Sequence, residues 1–512
     1  MIKVDKVSIE TINGRKLISD LSFTLNDGDK LAIIGEEGNG KSTLLKALYN
    51  KNLISDYARV YGTITKTDSF CGFLEQKLSL KWNKSTVLDY FLKDDADGEA
   101  NYEIYEKLYL IENILKSLNF NTEYLDNGQI IENLSGGERV KLQLAKLMFF
   151  KPSTLFLDEP TNDLDIETLK LLQDFICKST GIVVFISHDE TLLENTANAV
   201  LHIEQLIRKT QPKATFKRIS YLEYVKQRKQ SIEHQTQIAY SERREKEKKE
   251  AVLRQIKQKV ENSLNASKKD PSTGRIVAKK MANIISLEKR YNNEETTEVP
   301  DVEEAINIII DNSLKLPQKK EVLNLSLKEL KAGEKVLAKN VRLQVIGPEK
   351  IAIIGNNGSG KSTLIKQIVP ILKGTIGISV GYFSQNYYEI LNYNATAADE
   401  IQTTGFEYNP RTLLGSLKFT AEEMDKKISE LSEGQKAKIA LIKIVTSKNN
   451  VLVLDEPTRN LSPLSNPVIR EMLKGFNGAI ITISHDRKFI SEICDKVYKL
   501  NSDGLTLCGK DF

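Results

Sequence analysis

The sequence predicts an α/β protein in which one domain occurs twice in tandem, the two copies being joined by a helical-hairpin linker. Three observations carry this reading. Four short motifs recur in the same order in both halves of the 512-residue chain. In each half a glycine-rich stretch lies between an apolar run and a helix-forming one. The segment between the halves is basic and places apolar residues at helical spacing.

The first motif, Gly35-Glu36-Glu37-Gly38-Asn39-Gly40-Lys41-Ser42-Thr43, returns 320 positions later as Gly355-Asn356-Asn357-Gly358-Ser359-Gly360-Lys361-Ser362-Thr363. Leu134-Ser135-Gly136-Gly137-Glu138 returns as Leu431-Ser432-Glu433-Gly434-Gln435, now offset by 297. Leu157-Asp158-Glu159-Pro160-Thr161 and Ser187-His188-Asp189 return at the same offset, as Leu454-Asp455-Glu456-Pro457-Thr458 and Ser484-His485-Asp486. A period near 300 is far too long for a solenoid and describes a duplicated domain. The drop from 320 to 297 leaves 23 more residues between Lys41 and Ser135 than between Lys361 and Ser432, which reads as a surface insertion in the first copy.

Each glycine-rich stretch fits GxxxxGK[ST], follows a short apolar strand (Leu31 to Ile34; Ile351 to Ile354) and opens a helix. That context defines a P-loop: glycines let backbone N–H groups face phosphate oxygens, and the helix N-terminus adds its positive end. Lys41 and Lys361 are expected to reach the β/γ-phosphates, and Ser42 and Ser362 to ligate Mg²⁺. The runs ending in Asp158-Glu159 and Asp455-Glu456 read as buried parallel strands whose C-terminal ends carry the carboxylates, where open α/β sheets bind ligands. Asp158 and Asp455 would hold Mg²⁺, and Glu159 and Glu456 would orient and deprotonate an attacking water.

Composition sets the remaining bounds. With 40% hydrophobic and 28% charged residues and a mean hydropathy of −0.33, the chain has the balance of a soluble globular protein. The longest apolar runs are four or five residues, against about twenty for a membrane-spanning helix. Cys71, Cys177, Cys494 and Cys508 form no CxxC pair, which argues against zinc and a disulfide framework. The start lacks the apolar stretch of a signal peptide, so a cytoplasmic location is expected. The net charge of +4 conceals a local excess: residues 208–290 hold 23 Lys/Arg against 9 Asp/Glu, a net of +14 that leaves −10 for the rest. Such asymmetry suits a basic segment that faces a polyanion, carried by two mildly acidic bodies.

With these motifs the sequence resembles the ATP-binding-cassette superfamily over nearly the whole chain outside the segment between the copies. The resemblance implies ATP and Mg²⁺ as ligands, with ATP hydrolysis at two composite sites formed head to tail. Each site joins one copy's P-loop (Gly35, Gly38, Gly40, Lys41, Ser42 and Thr43; Gly355, Gly358, Gly360, Lys361, Ser362 and Thr363) to the other copy's signature. Ser135, Gly136 and Gly137, and likewise Ser432 and Gly434, match that signature, whose serine contacts the γ-phosphate. Gln76 and Gln385 match the glutamine that contacts Mg²⁺ and the attacking water; His188 and His485 match the switch histidine. The aromatic residue that usually stacks adenine ahead of the P-loop is not evident in either copy, which leaves ATP versus GTP preference open. The first site receives Glu36, Glu37 and Glu433 where the second has Asn356, Asn357 and Gly136, so like charges near phosphate are expected to weaken ATP there.

Two cassettes in one chain resemble the ABC-F group, which acts on ribosomes through the linker between its cassettes. Val225, Ile232 and Ala239 recur at seven, and Leu253, Ile256, Val260 and Leu264 at three and four; Val277, Met281 and Ile284 resume beyond a break dense in turn formers. An antiparallel hairpin is expected with its tip near 265–274 and arms of about 35–40 Å, with Lys257, Lys259, Lys268, Lys269, Arg275, Lys279 and Lys280 disposed for RNA phosphates. The domains are expected at 1–205, 206–316 and 317–512. Arg459-Asn460-Leu461-Ser462 in place of Asn162-Asp163-Leu164-Asp165, together with Leu-Ser-Glu-Gly-Gln, resembles the ribosome-protecting antibiotic-resistance members of the Vga/Lsa/Vml type. That resemblance implies a 70S ribosome partner (rRNA and tRNA), no membrane partner, and a monomer whose cassettes pair intramolecularly. Relief of lincosamide, pleuromutilin or streptogramin A inhibition follows from it; a housekeeping ABC-F translation factor and a transporter ATPase subunit are the alternatives.

Overall fold

A computed structural model describes residues 1–67, 70–206, 211–266, 271–292, 315–405, 409–459 and 461–509. The chain divides into two compact units: Met1–Tyr221 with Glu303–Phe512, and Leu222–Val302.

The first unit holds both copies. In the first, β1 (Ile2–Thr11), β2 (Lys16–Leu25) and β4 (Ala58–Lys66) form an antiparallel sheet in the order β2-β1-β4. A second sheet takes β3 (Lys30–Ile34), β5 (Cys71–Leu74), β6 (Thr154–Asp158), β7 (Ile182–Ile186), β8 (Ala199–Gln205) and β9 (Gln211–Lys217) in the order β5-β6-β7-β3-β8-β9. It is parallel from β5 to β8, and only β9 runs antiparallel. β6 and β7 are buried at every position, which explains their unbroken apolar runs.

The second copy repeats the sheet with β12 (Lys350–Ile354), β13 (Val380–Phe383), β14 (Val451–Asp455), β15 (Ala479–Ile483), β16 (Lys496–Asn501) and β17 (Gly504–Cys508), ordered β13-β14-β15-β12-β16-β17. Among the described residues its antiparallel part comprises β10 (Glu321–Ala332) and β11 (Lys335–Ile346). Leu31, Ile33, Leu44, Leu45 and Val184 pack one core, and Ile351, Ile353, Leu364, Ile365 and Ile481 its counterpart.

Two expectations are corrected. The 23 extra residues are not one surface insertion. Eleven lie between Lys41 and β5 and build β4, whose pairing to β1 satisfies an edge that has no described third strand in the second copy. The other twelve lie between Gln76 and Ser135, a span that includes the turn Tyr102–Lys107 and the helix Leu108–Ser117. The first copy also extends past residue 205, because β9 completes its sheet; Pro212, Lys213 and Lys217 hid this strand among the linker's charges.

The described residues of the second unit are helical. One helix runs Tyr221–Ala266 and a second Pro271–Asn292; the expected tip residues Lys268 and Lys269 lie outside the described residues. Proline as the first residue of the second helix fits a position whose N–H needs no partner. Lys257 Nζ bonds Glu288 at 2.9 Å and Lys249 lies over the Tyr291 ring at 5.6 Å, so the helices run antiparallel. The first helix has 46 residues, about 69 Å at 1.5 Å per residue, longer than the arm expected from the sequence.

Candidate functional site

Each P-loop is shaped by glycine where no side chain fits. Gly35 has φ 148°, and a Cβ there would sit 2.3 Å from the Ile203 carbonyl oxygen; Gly355 repeats this against Leu500. The following helices, Lys41–Tyr49 and Lys361–Lys373, start from left-handed Gly40 and Gly360 and bury Leu44, Leu45 and Leu48 or Leu364, Ile365 and Ile368. Thr43 and Thr363 fall in their first turns. Lys41 Nζ donates to the carbonyls of Gly35 and Glu36, both at 2.9 Å, and Lys361 Nζ to those of Gly355 (2.7 Å) and Asn356 (3.0 Å). Both ammonium groups thus wait at the loop's centre, and burial lowers the pKa of each.

Beside Lys41, Ser42 Oγ donates to Asp158 Oδ1 at 2.9 Å. In the second copy Asp455 Oδ1 is buried with no hydrogen-bond partner. A serine hydroxyl beside a carboxylate, with a further carboxylate oxygen unsatisfied, is an all-oxygen donor set of the kind Mg²⁺ takes. Burial pushes Asp158 up to about 6, a penalty that a cation would relieve.

The two Asp-Glu pairs share one backbone feature that no sequence pattern announces. Glu159 and Glu456 both adopt left-handed φ, 50° and 54°. This region costs a non-glycine residue about 1–3 kcal/mol, and its repetition marks it as part of the site. Their surroundings differ. Glu159 accepts from Gln76 Nε2 (2.8 Å) and Asn162 Nδ2 (2.6 Å), and its Oε1 lies 3.2 Å from His188 Nε2. Burial would raise its pKa, but hydrogen bonding and charge from His188, with Lys41 and Asn162, hold it at about 2. Glu456 lies 3.6 Å from His485 Nε2 and accepts from the His485 backbone N–H at 3.4 Å. Burial and the neighbouring Asp455 push it well above the carboxylate range, and burial with the Lys361 charge pushes His485 down to about 3.

The signature serines cap their own helices. Ser135 Oγ accepts from the Glu138 N–H and the Glu138 side chain returns to the Ser135 N–H; Ser432 and Gln435 do the same. Ser-x-x-Glu/Gln is a capping box, a local signal present in the sequence that the motif reading passed over.

P-loops and signatures meet across the two copies. A cavity of about 870 Å³ is lined by Lys361, Ser362, Thr363, Gln385, Asp455, Glu456 and His485 from the second copy, and by Ser135, Gly136, Gly137 and His188 from the first. Gly137 is needed there, since a Cβ would lie 2.6 Å from the Asp163 carbonyl oxygen and 2.7 Å from Asn357 Nδ2. The opposite cavity, about 240 Å³, sets Glu36, Glu37 and Gly38 against Ser432, Gly434 and Ser462. Here the three extra carboxylates are engaged, not merely mutually repelling. Glu37 Oε2 accepts from the Gly434 N–H at 2.7 Å, Glu36 lies 3.4 Å from Lys418 Nζ, and Glu433 pairs with Lys436 at 2.8 Å. Within the helical unit, Lys257 is tied to Glu288, Lys279 and Lys280 are exposed, Lys259 lies on the first helix and Arg275 on the second.

A twofold set of P-loop, strand-end carboxylates and facing signature defines a tandem-cassette ATPase. The family model described as ABC transporter matches residues 18–162 and 338–459, more than half of the chain. Among curated proteins, the putative ATP-binding protein YdiF of Bacillus subtilis is 28% identical over 98% of this chain and 80% of its own length. The ribosome protection protein VmlR of the same organism is 28% identical over 99% and 87%. ATP-binding protein Uup of Buchnera aphidicola subsp. Schizaphis graminum is 29% identical over 96% and 79%. Among solved structures, one described as RNase-L Inhibitor shares the fold with a TM-score of 0.57, at 15% identity over 98% of this chain and 91% of that one. The chain belongs to the ATP-binding-cassette family, and within it to the two-cassette ABC-F group. It is an ATPase.

Proposed function

We propose that the protein is a cytoplasmic ribosome-binding ATPase whose cassettes close around two ATP molecules to form the ribosome-bound state and release it on hydrolysis. The observation that carries the reading is the larger cavity, where the Lys361 loop of one cassette and the Ser135 signature of the other line a single space. In it, Lys361 and the loop N–H groups take the triphosphate, and the signature helix N-terminus takes the γ-phosphate from the opposite side. At the first site the Lys41 loop, whose Glu36, Glu37 and Gly38 line the smaller cavity, and the Ser432 signature would do the same. Ser42, Asp158 and Gln76, and Ser362, Asp455 and Gln385, would hold Mg²⁺, which neutralises phosphate charge when bound. Glu159 and Glu456 accept the proton of the attacking water, and His188 and His485 orient them. Arg15 lines the smaller cavity and Lys335 the larger.

Two observations support the ribosome as partner: the likeness over nearly the whole chain to a ribosome protection protein, and the 18 Lys/Arg against 9 Asp/Glu of residues 222–290, a net of +9. In this reading the hairpin reaches toward the tRNA acceptor end and the peptidyl-transferase centre, using Lys257, Lys259, Lys268, Lys269, Arg275, Lys279 and Lys280 on rRNA and tRNA phosphates. It thereby relieves lincosamide, pleuromutilin or streptogramin A inhibition. A housekeeping ABC-F translation factor is the second reading, since YdiF, whose name carries no resistance role, is as similar to this chain as VmlR is.

The test is the pair Glu159→Gln with Glu456→Gln. ATP turnover should vanish while the protein co-sediments with 70S ribosomes in ATP more strongly than the wild type. Normal turnover would overturn the site assignment, and absence of co-sedimentation the ribosome assignment. Growth of a susceptible host on the three drug classes, with and without the gene, separates resistance from housekeeping.

A further inference from the structure

Beside the larger ATP cavity, whose lining includes Asp189 and Asp486, the cassettes meet along helices that follow the Asp-Glu strands and the switch histidines: Ile166–Lys178 and Glu190–Thr196 in the first, Asn466–Lys474 and Arg487–Ile493 in the second. Arg470 Nη1 and Nη2 clasp Glu190 Oε1 and Oε2 at 2.5 and 3.2 Å, with side-chain exposures of 5% and 4%. Lys488 reaches Glu190 at 3.2 Å and also pairs with Glu194. Arg487 Nη1 donates to Gln173 Oε1 at 3.0 Å, and its Nη2 lies 3.5 Å from Asp189 Oδ2. Glu492, from the second cassette itself, completes the Arg470 environment at 2.9 Å.

The 297-residue offset shows what is unusual. Gln173 corresponds to Arg470, and Glu190 to Arg487, so the two contacts, Glu190 with Arg470 and Gln173 with Arg487, are one contact seen twice about a pseudo-twofold axis. One cassette presents Gln and Glu at this pair of positions, and the other presents Arg and Arg. The polarity extends over the interface: Arg459 to Asp163 (2.8 Å), Lys499 to Glu167 (2.8 Å) and Lys418 to Glu36 (3.4 Å) also take their cation from the second cassette and their anion from the first. Two copies of the second cassette would bring Arg470 onto Arg487 twice, and two copies of the first would leave Glu190 facing an amide. Opposed like charges exclude such pairings, and a buried charge loses its compensation when its partner is withdrawn.

We propose that this cluster is a heterotypic ionic joint that keeps the two cassettes of one chain together without nucleotide, and about which the two ATP sites open and close. The pivot half of the statement rests on the closure cycle proposed above; the joint itself rests only on the contacts.

The test uses pulsed EPR distances on the full chain. One label pair, Cys177 with Ser491→Cys, spans the joint, with the other three cysteines changed to alanine. A second pair, Asn119→Cys with Lys335→Cys, spans the larger ATP site in a chain whose four native cysteines are all changed to alanine. The joint distance should be narrow without nucleotide and unchanged on adding ATP to the Glu159→Gln, Glu456→Gln chain, while the site distance shortens. Arg470→Gln, or the milder Lys488→Gln should the first not fold, should at least double the width of the nucleotide-free joint distribution. A joint distance that is broad without nucleotide, that moves with the site distance, or that stays narrow in both charge variants would overturn the proposal. A narrow joint with an immobile site would uphold the joint and overturn the closure cycle instead.

Discussion

Glu159 and Glu456 stand at the centre of the same five-residue motif, yet their protons are held differently. Glu159 is ionised over the whole physiological range, whereas burial and Asp455 keep a proton on Glu456 at neutral pH in the nucleotide-free protein. A general base must be ionised, so turnover at the Glu456 site should rise with pH. In Glu159→Gln, where only that site is active, ATPase should increase about fivefold or more from pH 6.5 to 8.5. In Glu456→Gln it should stay within about twofold over the same range. Coincident profiles would show the two environments to be equivalent. Glu37 makes a further difference between the sites, because its carboxylate already occupies the Gly434 N–H at the signature helix, where Asn357 of the other loop brings no charge. Glu37→Asn should tighten ATP binding at the first site about three- to tenfold, read by fluorescent-nucleotide titration in a Lys361→Ala background; like charge beside phosphate is unfavourable by kcal-scale amounts. Unchanged affinity would mean that the carboxylate swings clear at no cost.

At the scale of an element, the short helix Arg487–Ile493 shows how a cap can serve geometry at the expense of stability. Asp486 caps it by accepting the Phe489 N–H at 2.9 Å, but burial, with Asp189 and Glu190 near, pushes its pKa up to about 6. A carboxyl whose folded-state pKa lies above its unfolded value loses stability as pH rises, from near 4 through 6, and does not recover it above. At roughly 1.4 kcal/mol per unit the penalty reaches about 3 kcal/mol. Asp486→Asn keeps the acceptor and removes the charge, so thermal scans should show a higher midpoint than wild type at pH 8 and no gain at pH 4. A loss at pH 8 would mean the charge is needed by Arg470 and Arg487. The capping boxes of Ser135 and Ser432 are the opposite case, in which local satisfaction and placement of the signature agree.

At the scale of the molecule, the charge division between the acidic cassettes and the basic hairpin sets the expected response to salt. Neutralising Lys268, Lys269 and Arg275 together should lower the slope of log affinity for ribosomes against log salt by about 2–3, at 0.7–0.9 per phosphate contact. Binding at different salt concentrations by sedimentation measures it, and an unchanged slope would return the hairpin to a spacer. Within the first unit, the cassette interface is polarised as well, cations on one side and anions on the other. Neither the net charge of +4 nor either motif set discloses that arrangement.

What the sequence determined by itself is the local chemistry: two P-loops between strand and helix, two carboxylate-ended buried strands, two signature helices and a basic helical hairpin. Each is written in contiguous residues whose spacing matches a backbone period or a tight turn, so neighbouring side chains suffice to specify it. The tertiary structure decided what depends on distant partners. β4 and β9 became strands because an edge was there to pair with, although their own residues read as insertion and linker. Glu159 and Glu456 diverged because His188, Asn162, Lys361 and Asp455 stand at different distances in the two copies. Arg470 found Glu190 across 280 residues, and no periodicity encodes such a pair, since burial and opposite charge select it only once both cassettes have folded.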